Sequence, residues 1–107
     1  MWLCPLRQRD PAARWDLYVL DPGTTYVNIG FWSTAALPPG RSEGWHNRAI
    51  EAAVTQLGGR KSLYSTACYT PDEFWATYGG ETYSHLKKTY DPDGRLLDLY
   101  DKTVGRR

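Results

Sequence analysis

Apolar and polar side chains alternate most regularly between residues 24 and 32, which predicts a β-strand. Successive side chains of a strand point to opposite faces, so one face would carry Thr25, Val27, Ile29 and Phe31. These residues are β-branched or apolar, and we predict that they pack in a core. The opposite face mixes polar and aromatic groups, among them Tyr26, Asn28 and Gly30. Such a face is typical of a cavity wall or a wet interface.

Three further segments are predicted to be strands. They are rich in apolar or aromatic residues and cover residues 1–6, 15–20 and 63–69. The sequence Asp21-Pro22-Gly23 lies between two of the strands and is typical of a turn.

The segment Leu37-Pro38-Pro39-Gly40 is predicted to be a linker. After it, apolar residues recur at the spacing of a helix and no longer alternate with polar ones. Ser42 is predicted to cap a helix that ends at Gly58-Gly59. Its apolar residues recur every three or four positions, which predicts that they form the buried side: Trp45, Ala49, Ile50, Ala53, Val54 and Leu57.

The sequence Thr70-Pro71-Asp72-Glu73 predicts the start of a second helix, with Thr70 as the N-cap and Glu73 completing a capping box. It stops at Gly79-Gly80, and a further helix is predicted from about Thr82 to Thr89. A tight turn at residues 91–94 precedes a short terminal helix. This order predicts an α+β fold with an antiparallel sheet covered by helices, in one domain over residues 1–107.

The charge and composition of the chain argue against several classes of binding partner and site. The formal net charge is +1, so we expect no nucleic-acid partner. No run of 18 apolar residues exists, and we predict no transmembrane segment. Cys4 and Cys68 fit no zinc pattern and are expected to be reduced, mostly buried thiols of a cytoplasmic protein. His46 and His85 are isolated and are expected to face solvent on helices, so no metal site is predicted.

The motifs of nucleotide binding and of serine hydrolases are missing from the sequence: it contains no GxGxxG, no P-loop and no GxSxG. Taken by themselves, the residues therefore indicate an α+β domain with an unusual aromatic and polar strand face, and no reaction.

An ordered set of short motifs resembles the C-terminal end of the delta(24)-sterol reductases, which belong to the vanillyl-alcohol-oxidase-like flavoproteins. The set spans nearly the whole chain and comprises Met1-Trp2-Leu3-Cys4-Pro5, Tyr26-Val27-Asn28-Ile29-Gly30, Leu63-Tyr64, Cys68-Tyr69, Glu73-Phe74-Trp75 and Tyr100-Asp101-Lys102. The turn Tyr90-Asp91-Pro92 is similar to one that occurs widely in that flavoprotein superfamily.

The resemblance implies an FAD-dependent enzyme that reduces a C=C bond of a sterol-like, hydrophobic substrate, with a nicotinamide as electron donor. Residues 1–107 would then be a single partial domain, the C-terminal part of the substrate, or cap, domain. The FAD-binding domain is missing from the sequence and would be its partner, so the chain alone is expected to be inactive. A cytoplasmic location is expected, and the resemblance leaves peripheral membrane association open.

The resemblance also implies candidate site residues. Tyr64 and Tyr69 are the catalytic candidates, because a phenol can donate a proton near neutral pH. Five further residues are expected to face substrate or cofactor, with Gly30 leaving room for a bulky ligand: Tyr26, Asn28, Gly30, Cys68 and Lys88.

Each of these assignments has a structural alternative. Tyr64 could be a core aromatic, Cys68 a packed thiol, and Lys88 a structural residue. Lys61 is expected to be solvated at the start of its strand. The alternative for the whole chain is a stand-alone α+β domain that binds a ligand or dimerises through its Trp-rich face.

Overall fold

The computed structural model describes residues 1–105 of the chain. The chain divides into two compact units, Met1–Ala36 and Leu37–Arg107. The described residues form a two-stranded antiparallel sheet and several helices, which confirms the α+β class.

The first unit is a ribbon of two strands, β1 (Trp2–Arg7) and β2 (Thr25–Gly30). They pair antiparallel, with Leu3 opposite Ile29, and the predictions of these two strands are confirmed. The predicted strand over residues 15–20 is wrong. That segment turns instead, because the Tyr18 N–H donates to the Trp15 carbonyl at 2.9 Å.

The alternation along β2 is confirmed, but the face predicted to be buried is the exposed one. Val27, Ile29 and Phe31 are 53%, 58% and 52% exposed. Gly30 is buried because the Trp2 indole lies against it: a Cβ added to Gly30 would be only 2.1 Å from that ring. The space that the sequence suggested for a ligand is therefore filled by Trp2.

The second unit begins its helices with α1 (Trp45–Gln56). Its N-cap is Gly44, with a φ of 86°, and no side chain caps it, so the assignment of Ser42 as N-cap is wrong. The Ser42 carbonyl accepts from the Trp45 N–H at 3.3 Å instead. The predicted helix itself is confirmed.

Two consecutive helices follow, α2 (Pro71–Thr77) and α3 (Gly80–Tyr90). The capping box of α2 forms as predicted: the Thr70 hydroxyl accepts from the Glu73 N–H, and the Glu73 carboxylate accepts from the Thr70 N–H. The turn after α3 also forms, with the Gly94 N–H donating to the Asp91 carbonyl at 3.0 Å. The short terminal helix is confirmed: Leu99 and Tyr100 are helical and lead into a π-helical turn, Asp101–Gly105.

Aromatic side chains form the core of the second unit. Phe74 is fully buried, and its ring lies 4.9 Å from that of Tyr78 and 5.4 Å from that of Tyr100. Tyr69 joins this cluster from the segment before α2. That segment was predicted to be a strand over residues 63–69, which is wrong, because it runs as a loop without strand pairing.

Among residues 1–105, no helix combines the length and the apolar character needed to cross a bilayer.

Candidate functional site

The buried side of α1 is charged. Glu51 is only 2% exposed, whereas the apolar residues predicted to be buried include Ile50 at 41% and Leu57 at 87%. Glu51 and Arg48 are three positions apart and therefore share one side of the helix. The prediction of an apolar buried side for this helix is wrong.

Glu51 anchors the loop that connects α1 to α2. Its Oε1 accepts from the Lys61 Nζ at 2.8 Å. Both of its carboxylate oxygens accept from the Cys68 N–H at 3.0 Å. Lys61 also donates to the Thr66 carbonyl, so it is held inside the loop and is not the solvated residue predicted. The carboxylate thus provides the hydrogen-bond partner that a neighbouring strand would have given this backbone.

Arg48 connects the same loop to the cap of α2. Its Nη1 donates to the Cys68 carbonyl at 2.6 Å. Its Nη2 donates to both carboxylate oxygens of Glu73, at 2.8 Å and 2.7 Å. Glu73 therefore serves the capping box and an ion pair together, and α1, the loop and α2 meet at these two residues.

The pKa of Glu73 falls to about 2, first because the Thr70 backbone N–H donates to the carboxylate and then because Arg48 donates to it. The same contact raises the pKa of Arg48. Both shifts favour the charged pair.

Tyr69 is placed inside the aromatic cluster, at 5% exposure. Burial raises the pKa of its hydroxyl, which makes no hydrogen bond of normal length within the described residues. Its carbonyl accepts from the Tyr100 hydroxyl at 3.2 Å. Tyr69 therefore keeps its proton, but the ring surroundings close it to a bulky substrate.

Tyr64, the other catalytic candidate, lies on the loop and is 69% exposed. Cys68 is half-buried beside the Glu51 anchor, and Lys88 is exposed on α3. The anchor thus orders Cys68 and Tyr69 together, whereas Tyr64 and Lys88 face solvent. The sequence analysis did not predict that Glu51 and Lys61 hold the loop. The one feature of the sequence that could have indicated Glu51 is its position one helical turn after Arg48, opposite the apolar residues of α1.

The remaining candidates belong to the ribbon. The Tyr26 hydroxyl donates to Asp21 Oδ2 at 2.8 Å and accepts from the Asp21 N–H at 3.0 Å, which fixes the turn before β2. Asn28 is half-buried and lies opposite Cys4 in the register. Cys4 is exposed, contrary to the expectation for both thiols.

The two histidines differ in how exposed they are. His46 is half-buried, with its ring 4.9 Å from that of Trp45, so the expectation that it faces solvent is wrong; His85 is exposed as predicted. Within the described part of the chain, no three His, Cys, Asp or Glu side chains gather where they could hold a metal ion.

The first unit also carries an open depression of about 470 Å³, lined by Arg7, Gln8, Arg9, Pro11 and Gly23. Gln8 is engaged there by the loop itself, because its Nε2 donates to the Asp10 and Ala13 carbonyls at 2.7 Å and 2.8 Å.

In comparisons with known proteins, no family model, no curated protein and no solved structure matches this chain.

The lowered pKa of Glu73 predicts an acid-sensitive second unit. A carboxylate whose folded pKa is about 2, against an ordinary 4.5, stabilises the fold fully above about pH 4.5 and loses that contribution as the pH falls through about 2. Asp91 acts in the same direction, because hydrogen bonds from Lys87 and from the loop backbone lower its pKa. The Tm, followed by circular dichroism, should fall between pH 5 and pH 2, and Glu73→Gln should flatten part of that slope.

The exposed carboxylate Glu81, in the first turn of α3, is the matched control. Glu81→Gln should keep the slope of the unmodified chain. An identical pH dependence for Glu73→Gln and the unmodified chain would contradict the role given to Glu73.

Proposed function

We propose that this chain forms the C-terminal, substrate-side portion of an FAD-linked oxidoreductase similar to the delta(24)-sterol reductases. The ordered resemblance along the sequence supports the class of enzyme. The structural observation that carries the proposal is the apolar face of the ribbon, where Leu3, Val27 and Ile29 are each more than half exposed. Contiguous apolar surface of this kind normally marks an interface, and the proposed occupant is the flavin-binding domain.

The residues of this chain do not fit the phosphates of FAD. The sequence has no glycine-rich phosphate loop, and the depression beside Arg7 and Arg9 is open. We therefore assign the cofactor to the partner domain, where it would supply hydride for reduction of an alkene. The cytoplasmic location is part of this proposal and rests on the sequence alone.

Tyr64 fits the role of proton donor better than Tyr69. Adding hydride to one alkene carbon requires a proton at the other, and a phenol can give that proton and recover it from solvent. The Tyr64 side chain is 69% exposed and can meet a substrate, whereas Tyr69 is enclosed by Phe74 and Tyr78. Asn28 and Lys88 remain candidates for contacts with substrate or cofactor.

Complementation tests the proposal. A delta(24)-sterol reductase-like flavoprotein from which the corresponding C-terminal segment has been removed should bind this chain one to one and regain nicotinamide-dependent alkene reduction. The purified chain alone should be colourless and inactive. Val27→Asp should abolish complex formation, because it places a charge on the apolar face.

Thr82→Asp is the control for complementation, since it adds the same charge at an exposed polar position of α3, in the second unit. It should leave binding nearly unchanged. A chain that binds flavin stoichiometrically by itself, or that fails to bind the truncated flavoprotein, would overturn the proposal; a concentration-dependent dimer would favour the stand-alone alternative.

Tyr64→Phe tests the proton donor in the complemented enzyme. The variant keeps the ring and loses only the hydroxyl, so the rate at which substrate reoxidises the pre-reduced complex should fall roughly 100-fold to 10,000-fold. Reduction by the nicotinamide should be unchanged. Tyr90→Phe is the matched control, because Tyr90 is 81% exposed. Equal reoxidation rates for the two variants would remove Tyr64 from the mechanism.

A further inference from the structure

We infer that Lys61 is a positioning residue that holds the turn carrying Tyr64, so that the phenol meets the substrate in one orientation. The inference rests on the proposed function, because it concerns how the proposed proton donor is aimed. Tyr64 is 69% exposed, so its ring receives little packing from the rest of the chain. Its position is therefore set by the backbone of residues 62–65, which turns at Leu63 and Tyr64 and is called the Tyr64 turn below.

The side chain of Lys61 closes the Tyr64 turn. Its Nζ donates to the Thr66 carbonyl, so a hydrogen bond joins residues 61 and 66 and encloses the four residues between them. The same Nζ donates to Glu51 Oε1 at 2.8 Å. The Lys61 side chain is 20% exposed, and salt screens partly buried pairs of this kind much less than surface pairs. The closure of the turn is thus tied to the buried carboxylate of α1.

Both ends of the Tyr64 turn are also held through the backbone. The Lys61 carbonyl accepts from the hydroxyl of the buried Tyr78 at 2.6 Å. At the other end Ala67 is 4% exposed, and the Cys68 N–H donates to Glu51. The two ends are therefore fixed to the core of the second unit. Lys61 takes part at both of them, through its carbonyl at the first and through its ammonium at the second.

This arrangement matters for proton transfer because the donor must already be in place when hydride is added. A misplacement of about 1 Å, even when it originates away from the reacting atoms, can lower a rate about 100-fold. A loose turn would have to be ordered each time substrate binds, whereas a closed turn is ordered beforehand. An ammonium has three N–H donors, and two of those of Lys61 are engaged by Glu51 and Thr66. Lys61 therefore acts through the turn and does not supply the proton.

A double-mutant cycle in the complemented enzyme separates positioning from a merely structural role. Lys61→Met keeps an unbranched side chain and removes the donors, so reoxidation of the pre-reduced complex by substrate should slow about tenfold to 100-fold. In the Tyr64→Phe enzyme the same change should alter that rate less than about twofold, because no hydroxyl is left to position. A merely structural contribution would slow both enzymes by the same factor.

Lys87→Met is the matched control for this cycle. The Lys87 Nζ also donates to one carboxylate, that of Asp91, and to one backbone carbonyl, that of Leu96. Its side chain is 23% exposed, close to the value for Lys61, and it closes the loop after α3 instead of the Tyr64 turn. Lys87→Met should leave the reoxidation rate within about twofold of the unmodified enzyme.

Nuclear magnetic resonance of the chain alone measures the turn without the flavoprotein. Backbone order parameters of residues 62–65 should lie near about 0.85, as in rigid backbone, and should fall below about 0.6 in Lys61→Met. Should Lys61→Met fail to fold, Glu51→Gln/Lys61→Met takes its place in both experiments. That double variant leaves no buried charge without a partner, and the glutamine keeps an oxygen that can accept from the Cys68 N–H.

Order parameters that do not change on loss of the Lys61 ammonium would overturn the inference and leave the proposed function standing. So would equal slowing by Lys61→Met in the enzymes with and without the Tyr64 hydroxyl, or equal slowing by Lys61→Met and Lys87→Met. Failure of the complementation itself would overturn the proposed function and, with it, the positioning role.

Discussion

The buried carboxylate of Glu51 is the constraint on which the second unit depends. It faces inward from α1 at 2% exposure and binds Lys61 and the backbone N–H of Cys68. Removing one member of a buried ion pair leaves the other charge without compensation, so such a pair fixes a loop strongly once it has formed. The loop from α1 to α2 is held in this way, and Tyr69 enters the aromatic cluster directly after the anchored Cys68.

This arrangement gives α1 two unequal sides. Its charged side holds the loop, and the apolar side, with Ile50 and Leu57, is left exposed. The ribbon of the first unit likewise exposes Val27 and Ile29. Each unit therefore presents apolar surface of its own, which is the common basis for proposing that a larger partner covers this chain. The proposed enzyme class rests on the sequence resemblance alone, and the structure contributes the exposed apolar surfaces.

Structure that depends on neighbouring residues was predictable from the sequence. Hydrogen bonds between residues distant along the chain were not. The capping box at Thr70 and Glu73 formed as expected because all its hydrogen bonds lie within four residues. The strand predicted over residues 63–69 failed because side chains distant in sequence, above all Glu51, take up its backbone groups. The predicted alternation of side chains along β2 was right, but the face predicted to be buried was wrong. The Trp2 ring lies over Gly30 on the opposite face, and the hydrophobic pattern of the strand does not indicate that contact.

The candidate site residues, too, were only partly predictable from the sequence. The resemblance selected Tyr64, Cys68 and Tyr69 from one short segment, and the structure separates the exposed Tyr64 from the buried Tyr69. No pattern in the sequence distinguishes those two tyrosines, because their exposure is decided by the anchor at Cys68 and by the position of Phe74.

Thiol labelling of Cys68 tests the role of Glu51 most directly. In a Cys4→Ser background only Cys68 can react, and its labelling rate reports opening of the anchored loop. Breaking a buried pair costs about 3–5 kcal/mol, so Glu51→Gln should accelerate labelling at least tenfold relative to Glu43→Gln, which changes an exposed carboxylate before α1. Equal labelling rates for Glu51→Gln and Glu43→Gln would contradict the account.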